Sequence, residues 1–252
     1  MASRPTTPVP SVSQAMAILR LLGRSGEAMG VTAIARAAGL SPSSAFNLVR
    51  TLVAEGLVDF DAVTKSYRIG IGSIDFARMA LRGDTMVAAL RPAMERLAER
   101  HDAAIGLWRA ADSGRLMLLA LAESEAATRI HMAVGQRQPT GAGSTGRALL
   151  AARAADDAAL RAAHAGVRWP SALDADSYVS QVHEAAWLGY AVDDQWLNPG
   201  IVTVAAVVPE PGAPPRYCLS ASLFAGRHDA QGVAAIGRDI AAEAQAAGQE
   251  RE

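Results

Sequence analysis

VTAIARAAGLSPSSAFNLVRTLVAEGL, residues 31–57, predicts two short amphipathic helices joined by a tight turn. In the first helix Ile34 and Ala38 fall on one face, and Gly39 stands where the reversing chain needs an unhindered backbone. Ser41 offers a side-chain cap to the second helix, whose apolar residues recur at helical spacing. This is the plan of a helix-turn-helix, whose second helix enters the DNA major groove. An ordinary helical hairpin is the alternative that these residues alone leave open.

A β-hairpin is predicted directly after the second helix. A polar turn at residues 61–65 separates two short stretches of alternating apolar residues. A hairpin in this position is typical of a wing, and Lys65, the single lysine of the chain, falls at its tip. Basic residues there can reach phosphates or a minor groove, so Lys65, Tyr67 and Arg68 are candidate DNA contacts. A solvated turn without a ligand is the alternative.

Length and composition bound the class of protein. The 252 residues suffice for two domains with cores of their own. No apolar run reaches the ~20 residues that span a bilayer, so we expect no membrane partner. The single cysteine, Cys218, excludes an internal disulfide and favours a reducing compartment, which predicts a cytoplasmic protein. Cysteine and histidine are too few and too scattered for a zinc site, and we expect neither metal nor cofactor.

The charge is distributed unevenly along the chain. Residues 1–72 carry seven basic and four acidic residues, a net charge of +3. The remainder carries 17 basic and 21 acidic residues, a net charge of −4. The basic part contains the predicted helix-turn-helix, and its sign suits a polyanionic partner whose affinity falls with salt.

The hydrophobic pattern predicts four segments. Residues 1–10, polar and rich in proline, form a disordered arm, and residues 11–71 form a winged helix-turn-helix domain. Residues 72–100 form two linker helices, in which Pro92 marks either a kink or a helix start. Residues 101–250 form an α+β domain with helices and antiparallel strands, among them a strand in RIHMAV, residues 129–134.

The chain resembles the isocitrate-lyase-regulator (IclR) family of bacterial transcription factors. The stretches that carry the resemblance, in the family's order, are SVSQAMAILRLL, VTAIARAAGLSPSSAFNLVRTLVAEGLV, YRIG, PTGAGSTGRALLA, LGYAVDD and VTVAAVV. The resemblance implies a winged helix-turn-helix, a linker helix and a GAF-like effector domain. It also implies homodimers or homotetramers that bind double-stranded operator DNA and repress or activate nearby catabolic genes, and we expect a repressor here. The effectors are expected to be small organic or aromatic acids.

The second helix of the motif departs from the family at one position. The family usually has a basic residue where this chain has Asn47, and asparagine can pair bidentately with adenine. Ser43 and Ser44 can contact bases or phosphates, with helix capping as the alternative, and Arg50 is expected to hold phosphate. Together with Ser41 these residues complete the candidate DNA contacts.

The predicted effector loop departs from the family too. The family has a histidine at Gly141 and a Gly-Lys pair at Gly146-Arg147. The glycines of residues 141–146 match a dinucleotide-binding fingerprint, but no parallel βαβ pattern surrounds them. A better interpretation is a glycine-rich entry into a helix whose first-turn N–H groups favour a carboxylate. Gly143, Ser144 and Thr145 are therefore effector candidates, with capping as the alternative.

Other pocket candidates come from matching positions in the family and from strand periodicity. Asp193, Asp194 and Val207 match family positions near the effector. Ser220 and Ser222 lie two apart on a strand and share one face, which is either a polar patch of the pocket or the solvent face. Further candidates, each with plain packing as its alternative, are Trp108 and His131.

Two other classes of function are less well supported. Ser144 lacks the Gly-x-Ser-x-Gly frame of a nucleophile elbow, and no histidine has an accompanying motif, so we expect no enzyme. A nucleotide-binding or small-molecule enzyme using the loop at residues 141–146 is one alternative. The other is a protein-interaction module whose N-terminal helices serve dimerisation alone.

Overall fold

The computed structural model of this chain describes residues 8–82, 85–125 and 130–249. The chain divides into two compact units, residues 1–83 and 84–252. Within the described ranges, none of the helices combines the length and apolarity that a membrane crossing requires. The predicted combination of an N-terminal helix-turn-helix domain and a C-terminal domain of mixed helices and strands is confirmed.

The N-terminal unit is a winged helix-turn-helix. Its elements are α1 (Pro10–Ser25), β1 (Met29–Gly30), α2 (Val31–Ala38), α3 (Pro42–Ala54), β2 (Val58–Asp61), β3 (Ser66–Ile69) and α4 (Gly72–Arg82). The strands form an antiparallel sheet in the order β1-β3-β2. Ile18, Ile34 and Val49 bring the first three helices into one core. Gly39 ends α2 at φ 65°, a left-handed conformation that glycine adopts without strain.

The C-terminal unit is a six-stranded antiparallel sheet with helices on both faces. Its elements are α5 (Thr85–His101), β4 (Ala104–Ala111), β5 (Arg115–Ala122), β6 (Arg137–Pro139), α6 (Gly143–Ala152), α7 (Asp157–Ala165), α8 (Ala175–Leu188), β7 (Ala191–Asp194), β8 (Ile201–Val208), β9 (Tyr217–Phe224) and α9 (Ala230–Gln249). The strand order is β6-β5-β4-β9-β8-β7. Helices α5 and α9 pack on one face, and α6 packs with α8 on the other.

The structure differs from the expected segments in two places. Helix α1 begins at Pro10, because proline with its fixed φ suits a first turn, and residues 1–7 of the expected arm lie outside the described residues. Helix α5 continues through Pro92 and is no linker, since Leu90, Met94 and Leu97 are buried against the sheet. Gly83 and Asp84, which fall within the predicted linker helices, lie outside the described residues.

The expected strand in RIHMAV is wrong for residues 130–134, which have no regular structure. The strand that pairs with the outer edge of β5, on the side away from β4, is β6, a few residues later. Arg129 lies outside the described residues. An apolar alternation alone does not form a strand when no neighbouring edge pairs with it. The short β1, which pairs with β3, was not expected, because two residues are too few for a periodic pattern.

Candidate DNA-binding surface and ligand cavity

Helix α3 leaves one face uncovered. Ala45, Val49 and Leu52 are buried against α1 and α2. The residues exposed on the opposite side, at helical spacing i, i+3, i+4 and i+7, are Ser43, Phe46, Asn47 and Arg50. An uncovered face at the N-terminal half of the second motif helix is the part that can enter a major groove.

Serine side chains close the first turn of α3. Oγ of Ser41 accepts a hydrogen bond of 3.1 Å from the backbone N–H of Ser44, so Ser41 is the N-cap. Its hydroxyl also lies 3.1 Å from Oγ of Ser43 and 2.8 Å from Oγ of Ser44. The predicted cap at Ser41 is therefore present, and it is Ser41 rather than Ser43 or Ser44 that caps the helix. The hydroxyls of all three serines remain on the exposed surface of the helix.

The wing is shaped by its own turn residues. Backbone N–H groups of Val63 and Thr64 donate to Oδ1 of Asp61 at 2.8 and 3.2 Å. These hydrogen bonds stabilise the carboxylate and hold the pKa of Asp61 below its ordinary value. Lys65 follows in a left-handed conformation, φ 51°, with its side chain exposed at the tip. The ammonium group is thus presented to solvent by a turn that hydrogen bonds hold in place.

Tyr67 is a correction to the predicted DNA contacts. Its side chain is buried in the core of the N-terminal unit and lies 4.8 Å, between ring centroids, from Phe60. The alternation of β3 turns Tyr67 inward and its neighbour Arg68 outward. Arg68 is exposed and forms an ion pair of 3.5 Å with Asp59. Breaking an exposed ion pair of this kind costs little free energy.

A cavity of about 290 Å³ lies in the C-terminal unit between the first turn of α6 and the sheet. It brings together seven of the residues that the sequence singled out: Trp108, His131, Gly143, Ser144, Thr145, Ser220 and Ser222. It also contains residues that were not singled out: Ile130, Met132, Gln136, Gln138, Leu197, Asn198, Ile201 and Thr203. The lining therefore combines hydroxyl and amide groups with aliphatic side chains, as ligand sites commonly do.

The N-terminus of α6 opens into this cavity. Ala142 is the N-cap residue and has no side-chain acceptor to offer, and the first backbone hydrogen bond of the turn is Gly146 N–H to Ala142 O, at 3.0 Å. First-turn N–H groups lack acceptors within their helix, so an anion is favoured there. Gly143 has φ 62°, and a Cβ there would lie 3.2 Å from Leu197. Gly146 has no room for a Cβ, which would lie 2.4 Å from the carbonyl carbon of Gly141.

Hydrogen bonds orient the polar groups of the lining. Oγ of Ser144 and Oγ1 of Thr203 lie 2.8 Å apart and join α6 to β8. The Gln138 amide donates to Oγ1 of Thr145 at 2.6 Å. The Trp108 indole N–H donates to Oγ of Ser220 at 3.0 Å. The Ser222 hydroxyl lies 4.0 Å from the Met132 sulfur. The hydroxyls of the cavity thus face inward, and the solvent-face alternative for Ser220 and Ser222 is excluded.

Both units of the chain match families of known proteins. Residues 11–62 match the IclR helix-turn-helix domain and residues 79–248 match the bacterial transcriptional regulator IclR C-terminal domain. This chain belongs to the IclR family. It is 26% identical over 203 residues, 79% of this chain and 71% of the relative, to the HTH-type transcriptional regulator BhcR of Paracoccus denitrificans strain Pd 1222.

Solved IclR structures share the fold. The IclR transcriptional regulator from Alicyclobacillus acidocaldarius superposes with a TM-score of 0.84 at 24% identity, over 96% of this chain and 99% of that one. An IclR homologue from Microbacterium hydrocarbonoxydans, complexed with 4-hydroxybenzoate, superposes with a TM-score of 0.77 at 20% identity, over 95% and 99%. The family consists of transcriptional regulators with a DNA-binding helix-turn-helix, and this confirms the prediction that the chain is not an enzyme.

The IclR fold places three predicted effector residues outside the cavity. Asp193 is buried, but its Oδ2 accepts from Nη1 of Arg147 at 2.7 Å, so its charge is already paired. Asp194 is exposed, since neighbouring strand residues point to opposite sides. Val207 borders a different apolar cavity, beside Tyr190 and Pro209. Matching positions along the chain located the right strands but not the side that each residue faces.

Arg147 is a buried positioning residue of the site that the sequence did not single out. Its side chain is fully buried, with Nε donating to Gln181 at 2.8 Å and its guanidinium carbon 5.1 Å from the ring centroid of Tyr178. Burial raises the pKa of the Tyr178 phenol to about 12. Nη2 of Arg147 has no partner within the described part of the chain. Since Oδ1 of Asp193 also accepts from Leu197 N–H at 3.1 Å, the ion pair positions the loop that closes the cavity.

The loop at residues 141–146 is no dinucleotide site. It enters α6 from an antiparallel sheet, whereas the fingerprint belongs to a parallel βαβ unit. Ser144 has Thr203 as its hydrogen-bond partner rather than a histidine. Among residues 8–82, 85–125 and 130–249, no three His, Cys, Asp or Glu side chains are grouped as metal ligands would be.

Proposed function

We propose that this IclR-family protein represses nearby catabolic genes and responds to a small organic acid, of which an aromatic acid is the favoured kind. The observation that carries this proposal is the cavity at the N-terminus of α6, where an anion-favouring helix end meets hydroxyl, amide and apolar groups. Support comes from the homologue solved with 4-hydroxybenzoate, which has both a carboxylate and an aromatic ring.

The size and charge of the cavity favour such a ligand. About 290 Å³ lies at the small end of the usual range for ligand sites, roughly 300–1,000 Å³. Its described lining contains no lysine, arginine or carboxylate, so a carboxylate would be held by backbone N–H groups and by the Ser144 and Thr145 hydroxyls. Ser222 would meet a polar substituent of the ligand, and Leu197 and Ile201 its apolar body. Gln138 would orient the Thr145 hydroxyl at the carboxylate end through its amide hydrogen bond.

The DNA part of the proposal uses the exposed face of α3 and the wing. Asn47 reads a base, Ser43 and Ser44 contact bases or phosphates, and Arg50 holds phosphate. Lys65 and Arg68 reach the backbone from the wing. A homodimer would place two α3 helices on half-sites about one helical turn apart. The effector then changes DNA affinity by no more than its differential affinity for the two states of the protein.

Fluorescence anisotropy tests the whole proposal. The purified protein is titrated onto its own upstream intergenic DNA at several salt concentrations, with and without a panel of aromatic and aliphatic acids. We expect saturable binding that survives competitor DNA and weakens with one acid. The matched control is the amide of that acid, which lacks the carboxylate charge and should have no effect. Binding no tighter than to random DNA at every salt would contradict a regulator of that region.

A further inference from the structure

An aromatic side chain on α3 is exposed where the packing of the helix does not require it. Phe46 retains 44% of its surface accessible to solvent, whereas its neighbour Ala45 is fully buried. Phe46 lies on the face that also carries Ser43, Asn47 and Arg50, and it is the apolar member of that face. A large apolar group on a surface that otherwise offers hydrogen bonds is suited to an apolar partner.

A contact within the helix holds this ring in place. The guanidinium carbon of Arg50 lies 5.7 Å from the centroid of the Phe46 ring, within the range of a cation–π interaction. The two residues are four positions apart, at i and i+4, so they are neighbours on one face of the helix. One face of the ring is therefore occupied by Arg50, and the remaining exposed part of the ring points away from the protein core.

Base edges offer one apolar group to such a side chain. In the major groove the 5-methyl group of thymine is the apolar feature, and phenylalanine is among the side chains that contact it. Asn47, the next residue along, carries the amide that pairs with N6 and N7 of adenine. Phe46 and Asn47 are both exposed on α3, so an apolar ring and an amide lie side by side on the helix surface.

We propose that Phe46 is a specificity-determining residue that packs against the 5-methyl group of a thymine in the operator. This inference rests on the proposed sequence-specific binding of DNA through α3. It names a thymine at a defined place in each half-site, adjacent to the base pair that Asn47 contacts. Phe46 also positions the Arg50 guanidinium, which links the apolar contact to a neighbouring phosphate contact.

The test removes the methyl group from the DNA rather than the ring from the protein. An operator is first selected from a random duplex library with the full-length protein. Each thymine in one half-site is then replaced singly by deoxyuridine, which keeps base pairing and removes the methyl. We expect one replacement to weaken wild-type binding about fourfold, as the loss of one buried methyl-sized contact implies. A thymine at a position that the selection leaves variable is the DNA control.

Variants then assign the methyl contact to Phe46. Phe46→Ala should bind the selected operator more weakly and lose its sensitivity to that deoxyuridine. Phe46→Leu, which keeps an apolar side chain, should retain part of the sensitivity. Val12→Ala is the matched protein control, because Val12 is an apolar residue of the same unit that is 60% exposed on α1, outside α3 and the wing. It should respond to deoxyuridine as the wild type does.

The possible results distinguish a failure of the Phe46 contact from a failure of the proposed sequence-specific DNA binding. A wild-type protein that binds a selected operator yet tolerates every deoxyuridine would overturn the role of Phe46 and leave sequence-specific binding intact. A Phe46→Ala protein that kept the full sensitivity would overturn that role as well. A library that yields no preferred sequence would overturn both. The wild-type scan depends on no variant, so an unstable Phe46→Ala would not obscure it.

Discussion

The indole Nε1 of Trp108 donates a 3.0 Å hydrogen bond to Oγ of Ser220 across the β4–β9 pair, and both residues are buried. Gly106 makes room for this contact, since a Cβ there would lie 2.9 Å from the indole nitrogen. Among the described residues, no N–H group donates in this way to the hydroxyl of Ser222, two residues on, which contacts the Met132 sulfur at 4.0 Å. One serine of the pair thus orients the wall of the cavity, and the other remains available to a ligand.

Replacing each serine should therefore have a different effect. Ser220→Ala leaves a buried indole N–H without an acceptor and should lower the free energy of unfolding by about 1–3 kcal/mol. Ser222→Ala should leave stability nearly unchanged and weaken the response to the effector. Urea denaturation followed by tryptophan fluorescence measures stability of the C-terminal unit, since all four tryptophans lie there. Equal losses of stability in the two variants would contradict this division of roles.

The buried ion pair between Arg147 and Asp193 should be costly to break from one side. Arg147→Met leaves an unpaired carboxylate in the core, and we expect a loss of about 3–5 kcal/mol in the free energy of unfolding. Asp193→Leu added to that variant removes both charges and should restore most of the stability. The two variants are compared by the same urea denaturation. A double variant no more stable than Arg147→Met would show that the pair itself contributes the energy.

Gly146 should tolerate no side chain. Its Cβ would collide with backbone at the entry to α6, 2.5 Å from Thr140 O, and backbone there cannot move without shifting the cavity wall. Gly146→Ala should therefore lower the melting temperature of the C-terminal unit and abolish the effector response. Gly166→Ala is the control, because its Cβ would meet nothing closer than 3.4 Å. A Gly146→Ala protein with wild-type effector affinity would show that the entry to α6 is adaptable.

Cys218 should be an unreactive thiol that makes the fold sensitive to alkali. Burial raises its pKa to about 12, so the folded protein holds the proton where an unfolded thiol, with a pKa of ~8.5, releases it. The contribution of this thiol to the free energy of unfolding is therefore fully present below the unfolded pKa, and it is lost as the pH rises towards 12. A thiol reagent at pH 8 should react only upon unfolding, and Cys218→Ala should remove this part of the alkaline loss. Rapid labelling of folded protein would contradict the burial.

Lys65 should contribute to DNA affinity without sequence preference. Lys65→Ala should weaken binding about evenly across sequences and lower the slope of log affinity against log salt by ~1 for each protomer bound. Arg115→Ala, which removes one exposed positive charge from the C-terminal unit, is the control and should leave the slope unchanged. Anisotropy at four or more salt concentrations provides the slopes. An unchanged slope for Lys65→Ala would remove the wing tip from the phosphate contacts.

Local chemistry made much of the fold predictable. Helix α2 ends at Gly39, and α3 starts with the Ser41 cap and Pro42. Each of these signals depends on only a few neighbouring residues. The exposed face of α3 follows from helical spacing too. The same periodicity places Phe46 on the exposed face of α3. The residues that the sequence predicted to contact DNA from this helix are polar, and Phe46 is apolar.

Long-range packing made other features unpredictable. The helical pattern of residues 85–101 was visible, but not that its apolar stripe packs on the effector-domain sheet. The prediction that Tyr67 contacts DNA was wrong for a local reason, since the alternation of β3 turns it into the core while Arg68 points outward.

The sequence by itself determined the two kinds of domain, the helix-turn-helix and the shared face of Ser220 and Ser222, because caps, turns and periodicity act within a few residues. Only the tertiary structure decided which way that face points, and that Arg147, rather than an effector, neutralises Asp193. Periodicity states which side chains lie together, but not what covers them. That depends on contacts between residues far apart in the chain, such as the ion pair between Arg147 and Asp193, whose positions differ by 46.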